Sequence, residues 1–142
     1  MSEHTDRNGA EALADKLSEC ADAIHERVVK AIKAYEGRDV PASEQAALRA
    51  LWDHELVLRQ RANGLYAEAA AGAIATLGEH REQLGRITGK ALEKIKTIAK
   101  VGDTVGLVAA LAALAGAAAL GQPTPILVAL GKLRTQVSAM AA

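Results

Sequence analysis

Histidine and cysteine are the side chains whose protonation and reactivity change near neutral pH, and this chain carries four of the first and one of the second. Asp22, His25 and Glu26 can share one face of a helix, a spacing that could turn a carboxylate and an imidazole toward a metal. A di-metal helical site needs that carboxylate-x-x-His pair twice, with two further carboxylates, and neither His54 nor His80 has an acid three residues before it. His25-Glu26 and His54-Glu55 also lack the second histidine of the His-Glu-x-x-His zinc pattern. A solvated charged face is the better reading of these groups. Cys20 and His25, five apart, do not make a nucleophile and base pair, and no glycine precedes a Lys-Ser or Lys-Thr dipeptide as a phosphate-cradling loop requires. The expectation is a protein with no catalytic residues, no cofactor and no metal. A site assembled across helices from His54, Glu55 and His80 is the remaining enzymatic alternative.

Charge narrows the partners. Seventeen basic and seventeen acidic residues cancel, which removes the electrostatic footprint of a general nucleic-acid binder. A lone cysteine cannot form an intramolecular disulfide, and the polar start MSEHTDRNG has no basic-then-apolar export pattern, so a cytoplasmic protein is expected. Half the residues are apolar, yet phenylalanine is absent and the apolar mass is largely alanine and leucine, a composition that favours helices.

Two stretches stand out from that background. Thr104 to Gly131 runs for 28 residues without a charge. Its first part, Val105 to Gly121, would span about 25 Å as a helix, a little short of a bilayer's hydrocarbon core. Val105, Leu107, Val108, Leu111, Leu114 and Leu120 are its membrane-inserting or core candidates. The accompanying alanines and glycines add little, so insertion would be marginal. Just before it, Leu84 to Val101 reads as a basic amphipathic helix. Leu84, Ile87, Ala91, Ile95 and Ile98 fall on one side, while Arg86, Lys90, Lys94, Lys96 and Lys100 fall on the other as membrane-surface candidates.

The remaining elements must position those two. Residues 1–9 are expected to be disordered, and residues 10–142 to form a single helical domain. Leu13, Leu17, Cys20, Ile24, Val28, Ala31 and Tyr35 mark a first helix that ends at Gly37. After Pro41, Ser43 can cap a second helix, whose stripe (Leu48, Leu51, Trp52, Leu58, Ala62, Leu65) keeps phase across Asn63-Gly64, so it is expected to continue toward Leu77 with Trp52 as a core anchor. A reversal is expected between Gly78 and Gly89, then the basic helix over 84–101, the apolar helix over 104–121, the Gln122-Pro123-Thr124-Pro125 turn, and an amphipathic helix over 125–141.

The fold expected is therefore all-α: an elongated antiparallel bundle of four or five helices with an apolar C-terminal helical hairpin. The leading functional expectation is a non-enzymatic protein that meets anionic lipid through the basic helix and the hairpin, peripheral or partly inserted at the inner face of the cell membrane. The alternative is a soluble helical interaction module, homo-oligomeric, in which the uncharged helix is simply the core.

Overall fold

The computed structural model describes residues 3–140, with side chains from Gly9 to Met140. Every regular element in it is helical: α1 Glu3–Lys33, α2 Ala42–Asn63, α3 Glu68–Ala75, α4 His80–Thr97, α5 Val105–Leu120 and α6 Pro123–Ala139, with single 3-10 turns at Gly64–Tyr66 and Val101–Thr104. Of the 1–9 segment, residues 1–2 and the side chains of 3–8 lie outside the described residues, and the backbone from Glu3 belongs to α1.

The bundle closes as a ring of neighbours in the order α1, α2, α5, α6, α4 and back to α1, with α3 laid across one end against α1 and α5. Residue pairs fix the directions. Tyr35 donates to Glu44 beside the first turn and Tyr66 donates to Asp15 at the far end, so α1 and α2 are antiparallel. Gly102 faces Ala47, Gly116 faces Arg61 and Gly64 faces Ala119, which makes α2 and α5 parallel. Gly9 against Arg81 and Arg27 against the carbonyls of Ile95 and Ile98 make α1 and α4 parallel. Gly106 lies against Gln136 in the antiparallel α5–α6 pair, while Arg134 to Gln83 and Lys94 to Met140 run α4 parallel to α6. The expected antiparallel bundle of four or five helices is thus a six-helix bundle with both orientations.

Helix two does not continue to Leu77. Gly64 keeps a right-handed conformation but starts the 3-10 turn, and Ala67 is extended (ψ 151°), so the chain turns and α3 sets off across the bundle end. The Asn63-Gly64 turn signal outweighed the apolar phase because Gly64 permits a close approach: a Cβ there would sit 3.0 Å from that of Ala119. The α5–α6 turn is tighter still. Gly121 has φ +73°, and a Cβ on it would lie 2.9 Å from both the Cβ and the carbonyl oxygen of Ala69.

The core draws on every α-helix. Leu17, Ile24, Leu51, Leu58, Ile74, Ile95, Leu107, Leu111, Leu114, Ile126 and Leu130 are fully buried or within 2 % of it. Each such side chain stabilises by roughly 1.5–3 kcal/mol relative to exposure. Trp52 is not among them. It is 45 % exposed, because the core stripe of α2 runs through Leu48, Leu51, Leu58 and Ala62, and Trp52 lies one residue out of phase with it, on the edge toward α1.

Candidate functional site

The apolar helix α5 is held inside the ring. Leu107, Val108, Leu111 and Leu114 are buried, Val105 is half-buried, and Leu120 at the end of the helix is 70 % exposed. The outward positions are Gly106, Ala113 and Leu120, seven residues apart, so the face α5 shows to solvent is built mostly of small side chains. Val101–Leu120 is long and apolar enough to cross a bilayer by length and composition, and the residues of it left unburied are mostly alanine and glycine. Arg61 of α2 lies along α5 and donates to the carbonyl of Ala112 at 2.8 Å. Gly116 leaves room for it: a Cβ there would be 3.1–3.3 Å from the guanidinium and its stem.

The basic residues separate. Arg86, Lys90 and Lys96 are exposed on α4, and Lys94 is half-buried and donates to the Met140 carbonyl at 3.1 Å. Lys100 is exposed but lies beyond the helix, in extended backbone (φ −119°, ψ 108°). The helix stops at Thr97, where Ile98 turns extended (ψ 139°), and Arg27 of α1 satisfies the carbonyls left there, with Nη atoms 2.8 Å from Ile95 O, 3.0 Å from Lys96 O and 2.5 Å from Ile98 O. Arg86, Lys90 and Lys94 line a groove of about 550 Å³ between α4 and α6, together with Gly89, Glu93, Val137 and Ser138. The apolar face of α4 (Leu84, Ile87, Ala91, Leu92, Ile95) is buried against the bundle, so only the charged face is free to meet another surface.

A third region, which the sequence reads as a solvated charged face, is partly buried. Glu55 occupies a core-phase position on α2 and is 8 % exposed. Its carboxylate accepts from Arg59 Nε at 2.9 Å, one turn away, and lies 3.1 Å from His25 Nδ1 across on α1. Arg59 also reaches Asp22 Oδ1 at 2.9 Å, so two carboxylates share one guanidinium. Burial works against the charge on Arg59, but hydrogen bonds to Glu55 and Asp22 outweigh it and push its pKa above the ordinary value. The His25 ring tilts against Trp52 with centroids 5.0 Å apart. Beside Trp52, a cleft of about 380 Å³ opens between α1 and α2, walled by Val28, Ile32, Val40, Leu48 and Trp52 with Gln45 and Arg49 on its rim. The signal that could have found this region is a single acid, Glu55, set on an otherwise apolar helical stripe.

Chemistry does not converge here. His80 opens α4, which packs on α1 and α6, and does not join His54 and Glu55 on α2. No group of three or more His, Cys, Asp or Glu side chains suited to a metal occurs among the described residues. Cys20 is enclosed, and burial, with a smaller push from Glu19, raises its thiol pKa to about 12, so it stays protonated.

No family model matches this chain, and neither a curated protein nor a solved structure matches it.

Proposed function

We propose that this protein is a non-enzymatic helical interaction module that works from the aqueous phase, with the α1–α2 face around Trp52 as its docking surface. One observation carries the reading: four of the six apolar candidates on α5, Leu107, Val108, Leu111 and Leu114, are buried inside the bundle, while Trp52, Leu56 and Ile32 stand 45 %, 61 % and 49 % exposed on the α1–α2 side. Tryptophan and arginine are enriched in binding hot spots, and uncovered apolar groups around them mark an interaction surface. The deep placement of Leu107, Leu111 and Leu114 and the Arg61 contact both favour keeping α5 where it is.

Association with anionic lipid is a second reading, favoured by the groove of Arg86, Lys90 and Lys94. Each basic group near a headgroup layer contributes about 1 kcal/mol. In this reading α4 meets the headgroups by charge alone, and α5 enters the bilayer only after the bundle opens. Flotation with vesicles containing acidic phospholipid separates the two. The interaction module stays in the dense fraction at physiological salt. Flotation that is lost on changing Arg86, Lys90 and Lys94 together to glutamine would replace it with the lipid reading.

A further inference from the structure

The exposed face of α2 carries a knob and a hole at equal distances from one aromatic residue. Leu56, the knob, stands one helical turn after Trp52 and is 61 % exposed. The cleft walled by Ile32, Val40 and Leu48, the hole, opens one turn before Trp52. Arg49 and Asp53 flank Trp52 on the same face, are exposed, and have no ion-pair partner among the described residues. They stand four apart with the base first, the weaker order for pairing along a helix, and both charges face solvent.

We propose that the occupant of this face is a second copy of the chain, docked by a two-fold axis at Trp52 with the two α2 helices antiparallel. The proposal rests on the interaction-module reading and names its partner. An antiparallel pair centred on residue 52 sets position 56 of one helix opposite position 48 of the other, so each Leu56 enters the other copy's cleft over Leu48. Asp53 falls opposite position 51, two residues from Arg49, an axial offset of about 3 Å that a guanidinium spans readily. Both Arg49–Asp53 pairs then form across the axis while Trp52 meets its own symmetry mate. A contact in which the same patch supplies knob and hole closes after two copies, which is the commonest symmetry of soluble oligomers. The face has no excess of either charge, so it does not select a strongly acidic or basic partner.

The interface is one helix face plus the end of α1, at the small end of stable interfaces, and a dissociation constant in the micromolar range is expected. Sedimentation velocity on the full chain from about 1 to 200 μM should show a reversible monomer–dimer equilibrium. Trp52 is the only tryptophan, so its emission should shift to the blue as the dimer forms. Leu56→Glu, at an exposed site that leaves helicity intact, should weaken association at least about tenfold. Arg49→Asp and Asp53→Arg should each weaken it, and the double variant should restore it, because the cross-axis pairs are re-formed with signs exchanged. A chain that stays monomeric at 200 μM, or a dimer unchanged by Leu56→Glu, overturns the proposal. Either result concerns the occupant only, since the module reading itself fails by a different outcome, lysine- and arginine-dependent flotation with vesicles.

Discussion

Replacing Leu111 and Leu120 separately by alanine tests whether α5 is a core helix, because the same side chain is removed from a buried and from an exposed position of one helix. Leu111 is fully buried between the helices and Leu120 is 70 % exposed at the helix end. Truncating a buried leucine removes its transfer free energy and leaves a cavity, together about 3 kcal/mol within a range of roughly 2–5. The unfolding entropy of a chain of 142 residues is about 0.3 kcal/mol per kelvin, so Leu111→Ala should lower Tm by about 10 °C. Leu120→Ala should stay within about 0.5 kcal/mol of wild type, an effect of a degree or two. Urea melts followed by helical circular dichroism give both values, and an unchanged m-value secures the comparison. In lipid each leucine would contribute a similar few tenths of a kcal/mol, so the two variants would behave alike. Equal and small effects from Leu111→Ala and Leu120→Ala would refute the placement of α5 in the bundle core.

Three further expectations follow from individual contacts. Gly121→Ala should destabilise by more than 2 kcal/mol, because φ +73° and a 2.9 Å approach to the Ala69 backbone act together, whereas Gly37→Ala, with φ +81° and nothing within 4 Å, should cost only about 1 kcal/mol; paired urea melts compare them. Cys20 has its folded pKa raised to about 12 from an ordinary 9.0, so the native state holds its proton more tightly than the unfolded chain. Its contribution is complete below pH 9 and is lost as pH rises toward 12, by at most about 4 kcal/mol. Tyr35 and Tyr66 titrate with the same sign, so the test is the difference between wild type and Cys20→Ala, which should shrink steadily above pH 9. Arg27→Ala should free the last carbonyls of α4 and speed amide exchange in its final turn while leaving its first turns unchanged, which exchange mass spectrometry reads directly.

Periodicity made the helical faces legible wherever burial follows a single stripe. Leu13, Leu17, Cys20, Ile24 and Val28 on α1, and Leu84, Ile87, Ala91 and Ile95 on α4, are buried as their spacing requires. On α2 the same logic mixed two phases. Hydrophobicity alone puts Trp52 on the stripe and charge alone takes Glu55 off it, although Glu55 has the core phase and Trp52 does not. What neutralises Glu55 is Arg59, four residues on and in principle visible, plus His25 thirty residues away and not visible in any local window. The ring order and the parallel pairs α2–α5 and α1–α4 were out of reach for the same reason, because they rest on contacts such as Gly102 with Ala47 and Arg27 with Ile95 that no local pattern encodes.

Hydropathy summed along a segment measures how much apolar surface exists, whereas function depends on which of it remains uncovered. The 28 uncharged residues from Thr104 to Gly131 dominate any such sum, yet the leucines within α5 that supply most of its bulk point inward, and the outward line is Gly106, Ala113 and a terminal Leu120. The α2 helix is polar on average, and its two exposed large apolar side chains, Trp52 and Leu56, count for little in a window. They matter because they are adjacent, uncovered, and set beside a cleft of matching character. A hydrophobic group already buried in the native bundle can drive association only after the energy of unpacking is supplied, and the arginine seated on Gly116 adds to that energy. A group already in water drives it directly. That difference is what supports the α1–α2 face as the proposed docking surface, with α5 packed behind α2.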